Sequence, residues 1–229
     1  MQQLIETSSF RYTGRLPRHI GFIPDGNRRW AKQRGLTAEA GYAAGVEPGV
    51  LLLKACKEIG IREVSIYGFT QDNTKRPKDQ TSAYRRACVE FANAALAEDV
   101  ALLALGDTNS TLFPEELLPF TKREDPNGRM LVNLLVNYGW NWDLQTAIRS
   151  TSDFSYKSGP ITDVMASADV SRIDLIVRWG GMRRLSGFLP VQSVYADFFV
   201  HDAYWPDYDP AHLEDALRWY AHQDVTLGG

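Results

Sequence analysis

Short apolar runs recur along this chain at intervals wide enough to hold a helix between each pair. They are Ile20–Ile23, Val64–Phe69, Val100–Leu105, Met130–Val136 and Leu175–Val177. Longer helical patterns occupy Gly45–Ile59, Gln80–Glu98, Pro114–Thr121, Asp143–Arg149, Pro190–Phe198 and Ala211–His222. The last follows Asp209-Pro210, a cap and first-turn pair. Strand and helix in alternation predict an α/β fold, a central mostly parallel sheet flanked by helices on both faces. Gly35, Gly60, Gly106 and Gly139 stand at element ends, where turns are expected. A length of 229 residues fits one domain with a sizeable core. No repeat or low-complexity tract divides it, and the polar stretch 150–158 reads as a surface loop. Residues 1–18 read as an N-terminal extension ahead of one unit spanning 19–229.

In open α/β sheets, ligands collect beyond the carboxyl ends of the strands. Four polar segments follow strands here: Asp25-Gly26-Asn27, Thr70–Pro77, Asn137-Tyr138-Gly139 and Arg178-Trp179-Gly180-Gly181. All four are expected on one rim. The first is the most telling. An apolar run from His19 to Ile23 breaks at Pro24-Asp25-Gly26-Asn27 and enters a helix-forming stretch, Arg28–Gln33. A strand, tight turn and helix start aim backbone N–H groups and a positive dipole end at one spot. Arg28 and Arg29 add fixed charge, and Asp25 supplies a carboxylate for a hard cation. A diphosphate carried with Mg²⁺ matches that spot better than a neutral ligand. An ordinary capped turn with solvated arginines is the competing reading.

Charge narrows the partners. Lys and Arg number 25 against 28 Asp and Glu, a net charge of −3, so no global basic field recruits nucleic acid or an anionic membrane. Positive charge is local instead, in Arg28, Arg29, Lys32 and Arg34 and again in Arg178, Arg183 and Arg184. Two such clusters fit discrete anionic ligands. Cys56 and Cys88 lie in helical patterns without metal-ligand spacing and read as buried free thiols. No run approaches the roughly 20 apolar residues of a membrane span, and residues 1–18 hold no apolar signal core. The expected location is the cytoplasm.

With these residues assembled, the chain resembles the cis-prenyltransferases, the undecaprenyl diphosphate synthase family. The likeness rests on His19–Gly45, Ile66–Pro77, Val136–Gly139, Asp174–Phe199 and Tyr204–Tyr208, in the family's order. The resemblance implies a fold with a hydrophobic tunnel, in which an allylic diphosphate is elongated by isopentenyl diphosphate with Mg²⁺ as cofactor. It implies that Asp25 ligates the metal, and that Gly26, Arg28, Arg29 and Arg76 bind the allylic diphosphate. Asn27 and Asn73 would position the reacting groups, with Arg29 beside them in the catalytic set. Arg178, Arg184 and Ser186 would hold the homoallylic diphosphate. Asp197 stands where the family has a metal-reaching Glu, and Trp30, Phe69 and Leu135 are expected along the tunnel. A homodimer is implied as well.

Several positions depart from that pattern. Tyr42 replaces a usual His, Ala38 a diphosphate-binding Arg, Thr74 a Trp and Met182 an acidic residue. Thr70-Gln71-Asp72 stands for Ser-x-Glu, and Trp140-Asn141 for Gly-Arg. The carboxyl end reads Thr226-Leu227-Gly228-Gly229, where an Arg-x-Gly normally reaches across the dimer. Each phosphate site loses a cation yet keeps at least two arginines, and one charge-assisted hydrogen bond is worth roughly 1.5–3 kcal/mol. The stretch between Pro77 and Gly106 is about one helical turn short, about 5.4 Å or one isoprene unit. Bulk at Leu134, Leu135 and Val136 adds to that, against the small Gly68, Ala83, Ala87, Ala94 and Ala95. Regular synthesis of a product of two or three isoprene units leads. Irregular head-to-middle coupling or cyclisation comes second, and a non-catalytic partner subunit third.

Overall fold

The computed structural model describes residues 12, 14–124, 126–150 and 161–224. Most of the 1–18 extension, residues 151–158 of the polar stretch and Thr226-Leu227-Gly228-Gly229 lie outside the described residues. Among the described residues six strands run β1 (His19–Ile23), β2 (Glu63–Tyr67), β3 (Ala101–Leu105), β4 (Leu131–Leu135), β5 (Leu175–Arg178) and β6 (Asp197–Val200). They form one sheet in the order β3-β4-β2-β1-β5-β6, and every pairing is parallel. The helices are α1 (Asn27–Gln33), α2 (Ala38–Ala44), α3 (Val46–Glu58), α4 (Lys78–Leu96), α5 (Trp140–Ser150) and α6 (Pro210–Ala221).

Side-chain alternation sorts the strands into two cores. Ile20, Phe22, Val64, Ile66, Leu134 and Val177 pack on one face with Leu52, Phe91 and Leu217 from α3, α4 and α6. Ile23, Tyr67, Leu103, Leu135 and Ile176 face the other way, against Phe188 and Leu189. The five strands expected from sequence are present. Pro190–Phe198 is not a helix: turns lead into β6, whose Phe199 packs on Trp219 with ring centroids 5.3 Å apart. Glu115–Phe120 is a 3₁₀ helix, since Pro119 inside it has no N–H to donate. Helix α2 was not expected, and it is capped by Thr37, whose Oγ1 accepts from the Ala40 N–H at 3.3 Å. Tyr12 and Arg15 bond the carbonyls of Leu217 and Tyr220, each at 2.8 Å, so the described part of the extension lies on α6. Among the described residues no helix is long and apolar enough to cross a membrane.

At the amino ends of the strands a polar knot is buried within the sheet. His19 Nε2 lies 2.8 Å from Ser65 Oγ, and Glu63 accepts from Asn133 Nδ2 at 2.7 Å and Ser171 Oγ at 2.6 Å. Arg123 closes the knot with a hydrogen bond to Asn133 Oδ1. Burial lowers the His19 pKa below its ordinary 6.5, although the Glu63 and Asp174 carboxylates pull the other way. The unfolded chain therefore takes up a proton first as pH falls through 6.5. This part of the stability is complete above that pH and shrinks below it. Melting temperature is expected to drop between pH 7.5 and 5.5, and His19→Gln to flatten the drop. An unchanged slope in the variant would remove His19 from the effect; burial shifts His212 in the same direction, so the comparison is needed.

Candidate active site

β1 is central, between β2 and β5, and the chain leaves its carboxyl end through Pro24 and Asp25. Gly26 then takes φ 106°, a left-handed turn that starts α1. Close approach also demands glycine there, because a Cβ would stand 2.6 Å from Tyr204 Cδ1. The first intrahelical bond runs from Trp30 N–H to Gly26 O at 2.8 Å, so the amides of Asn27, Arg28 and Arg29 precede it without helical partners.

Around this turn opens a basin of about 610 Å³. Arg28, Arg29, Lys32, Arg76, Arg178 and Arg184 line it, opposed by only two carboxylates, Asp25 and Asp72. Asp25 is its hub. Its Oδ1 accepts from the Gly26 N–H at 2.6 Å, and its Oδ2 meets Arg178 Nη2 at 2.8 Å and Arg29 Nη2 at 3.4 Å. Arg178 is buried at the end of β5 and needs acceptors for its charge. Besides Asp25 it donates to Ser186 Oγ at 2.9 Å and to the Arg184 carbonyl. Arg29 donates to the Gly180 carbonyl at 2.8 Å and lies 5.1 Å from the Tyr204 ring centroid. Two buried polar atoms of the basin, Asn27 Oδ1 and Arg178 Nε, have no hydrogen-bond partner among the described residues. An unpaired group of this kind costs about 1–3 kcal/mol, which a bound ligand would offset.

Asn73 lies in a 3₁₀ turn after β2 (Gln71–Lys75), where its Oδ1 accepts from the Thr70 N–H at 3.2 Å. Arg76 donates to Tyr42 OH at 3.0 Å. Asp25, Gly26, Asn27, Arg28, Arg29, Asn73, Arg76, Arg178, Arg184 and Ser186, all expected from sequence, thus share one basin. Three of the four rim segments line it. Asn137-Tyr138-Gly139 supports it from beneath, through the Gln71 N–H to the Tyr138 carbonyl at 2.9 Å.

Other expected positions fall elsewhere. Asp197 begins β6 and is in register with Leu175, which pairs with Ile20. Asp25 lies beyond the opposite end of those strands, so within one chain the two carboxylates cannot share a metal. Asp197 instead borders a larger cavity of about 1170 Å³ at the amino ends, beside Asp174 and Arg15, and burial raises its pKa. Trp30 turns outward from α1, donating to Asp207 Oδ1 at 2.7 Å beneath the Arg34 guanidinium. Phe69 is sealed in the core against Tyr84. Leu135 points to the other sheet face, into the cluster with Tyr67 and Phe188.

The apolar space is lined by Leu134, Ile66, Gly68, Ala87, Cys88 and Phe91, among others, and measures only about 50 Å³. It adjoins the basin through Pro24, Asn27, Tyr42, Gly68 and Tyr84, which line both. Cys88 is free and buried there, its thiol pushed up to about 12 by burial. Tyr84 was missed as a site residue, and Lys32, read from sequence as part of the cationic cluster, lines the basin as well. Lys32 was legible as the i+4 neighbour of Arg28 on α1, whereas Tyr84 carried no local signal.

Among the described residues no three His, Cys, Asp or Glu gather as a metal cluster. One carboxylate facing a cationic basin still suits Mg²⁺, which keeps water and phosphate oxygens as most of its ligands. The family model described as putative undecaprenyl diphosphate synthase matches residues 23–228. An isoprenyl transferase of Clostridium perfringens is 32% identical, covering 94% of this chain and 91% of that protein. A ditrans,polycis-undecaprenyl-diphosphate synthase, (2E,6E)-farnesyl-diphosphate specific, of Aliivibrio fischeri is 28% identical over 93% and 89%. The crystal structure of lavandulyl diphosphate synthase from Lavandula x intermedia, in complex with dimethylallyl diphosphate, shares the fold. It superposes with a TM-score of 0.83 at 24% identity, covering 93% of this chain and 98% of that one. The chain belongs to the undecaprenyl diphosphate synthase family of prenyltransferases. It is an enzyme of isoprenoid synthesis.

Proposed function

We propose that the protein condenses an allylic diphosphate with isopentenyl diphosphate to a short-chain prenyl diphosphate. The reading is carried by a basin of six cations around one central carboxylate, opening directly onto an apolar space of about 50 Å³. The allylic C–O bond breaks, a C–C bond forms to the terminal alkene carbon, and a proton leaves the new chain as pyrophosphate departs. Asp25 would hold Mg²⁺, and the ion, when bound, would supply positive charge to the leaving diphosphate. Gly26, Arg28, Arg29 and Arg76 bind the allylic diphosphate, and fixed donors in a partly dry site stabilise the charge it gains on leaving. Arg178, Arg184 and Ser186 hold the second diphosphate. Asn27 and Asn73 orient the reacting carbons, with Arg29 beside them. The catalytic unit runs over residues 19–229, with 1–18 as an extension, and acts as a homodimer.

Purified protein with Mg²⁺, dimethylallyl or geranyl diphosphate and isopentenyl diphosphate is expected to release pyrophosphate and yield products of ten or fifteen carbons. Mass spectrometry checks this. Products beyond fifteen carbons would overturn the short-chain reading. Met182 lines the basin where relatives of the resembled pattern carry an acid, which favours irregular coupling as the second reading. A ten-carbon product from dimethylallyl diphosphate alone would establish it.

A further inference from the structure

Trp179 separates Arg178 from Gly180 and Gly181, and its side chain is the largest of the fully buried ones described. The indole is boxed by Phe22 of β1, Trp205 and Tyr208, with ring centroids 6.1, 4.8 and 5.9 Å away. An indole N–H can only donate, and a buried one needs an acceptor. Trp179 Nε1 finds it in His212 Nδ1 at 3.3 Å, on the first turn of α6. The same Nδ1 accepts from the Asp209 N–H at 3.2 Å. Neither donor can accept in return, so the His212 proton sits on Nε2 and the ring is neutral. Burial and the neighbouring His201 lower the His212 pKa below its ordinary 6.5, against the pull of Asp209, Asp215 and Asp207. Tyr208 meets the ring edge-on at 6.1 Å and stays protonated, because burial raises its pKa.

The loop anchored by this bond has little stiffness of its own. Gly180 and Gly181 have φ of 82° and 74°, a region open to glycine and strained for other residues. Their conformation is imposed from outside. Gly180 N–H donates to the Ala203 carbonyl at 2.8 Å, and Gly181 N–H to the His201 carbonyl at 2.9 Å. His201 N–H returns to the Arg178 carbonyl at 2.8 Å, and its Nε2–H donates to the His212 carbonyl at 2.9 Å. The indole thus fixes the backbone between Arg178 and the Gly180 carbonyl that accepts from Arg29. Without His212 Nδ1 the indole N–H has to turn toward another acceptor, and the backbone on either side turns with it.

We propose that His212 is a positioning residue for prenyl transfer, holding the Trp179 indole so that Arg178 meets the second diphosphate in a fixed geometry. The inference rests on the prenyl-transfer reading above. His212 does not itself line the basin and acts through Trp179.

The test is calorimetry on the intact protein with Mg²⁺. Isopentenyl diphosphate is titrated after the allylic site has been filled with inert dimethylallyl S-thiolodiphosphate, which is also titrated alone. His212→Leu and His212→Ala remove the acceptor. Both are expected to weaken isopentenyl diphosphate binding about tenfold, the lower end for a charge-assisted contact to phosphate. Binding of the dimethylallyl analogue should stay within about twofold. His212→Asn places an amide oxygen near the position of Nδ1, and should restore isopentenyl diphosphate binding to within about threefold of the native protein. Native-like binding in His212→Leu or His212→Ala overturns the proposal. So does a loss in His212→Asn as large as in His212→Ala, or an equal loss for both ligands, which marks general loosening of the fold. Failure of the native protein to bind these diphosphates overturns the prenyl-transfer reading and the inference with it, whereas the variant outcomes overturn the inference alone.

Discussion

Asp25→Asn is expected to lower kcat by about 10³-fold, within the range seen when a group stabilising transition-state charge is removed. The amide fills the same space and can still accept from the Gly26 N–H, so the turn into α1 survives. Arg178 keeps Ser186 and the Arg184 carbonyl as acceptors. What disappears is the central one of the two negative charges facing six cations, and with it the protein's hold on a divalent ion. Stability should change little, because the Asp25 side chain is 34% exposed and already partly screened by water. Pyrophosphate release under saturating substrates, beside a melting curve, measures both quantities. Turnover within tenfold of the native enzyme would take Asp25 out of the mechanism.

Arg178→Met carries the largest expected effect on binding. The arginine joins two parts of the site through three contacts: the β1 turn through Asp25, and the loop after β5 through Ser186 Oγ and the Arg184 carbonyl. Loss of a charge-assisted contact to phosphate removes roughly 1.5–3 kcal/mol, about 10- to 150-fold in affinity. Arg178→Lys should recover little of it. A single ammonium cannot reach acceptors that the guanidinium fork meets with separate N–H groups. Titration of pyrophosphate with Mg²⁺ reads the loss directly. An affinity for pyrophosphate unchanged in Arg178→Met would place the second diphosphate elsewhere.

Much of the architecture was legible because period and punctuation were local. Each β-strand of the parallel interior is a short apolar run closed by turn residues, so five of six were found within a few residues. β6 was missed because Asp197–Val200 contains only four residues and follows a stretch, Pro190–Ala196, whose spacing imitates a helix. The basin was legible for a related reason. Parallel strands deliver their following loops to the same rim, so identifying β1, β2 and β5 brought Asp25, Asn73 and Arg178 together without knowledge of strand order.

The hydrocarbon site was legible only in part, through Gly68, Ala87 and Leu134, and the main reason is parity. Neighbouring residues on a strand face opposite sides, so choosing Leu135 over Leu134 moved the lining to the wrong core. Asp197 failed for want of direction. A residue 11 positions after Ser186 can lie at either end of a strand, and only the register with Leu175 assigns it to the amino end. Tyr84 required the packing of α4 on α2, which no nearby residue announces.

Asp25 and Arg178 are 153 residues apart in the chain, and Arg29 meets the Gly180 carbonyl across 151. β1 receives β2 early on one edge but waits for β5 on the other. While the protein is being made on a ribosome, the amino-terminal two-thirds can assemble β1, β2, β3 and β4 and still present β1 as an unpaired edge. Contacts so distant close slowly, and nascent intermediates with open strand edges invite misassociation. A chain stopped before residue 175 would therefore carry the acidic turn without its buried counter-charge, inert and prone to self-association rather than partially competent.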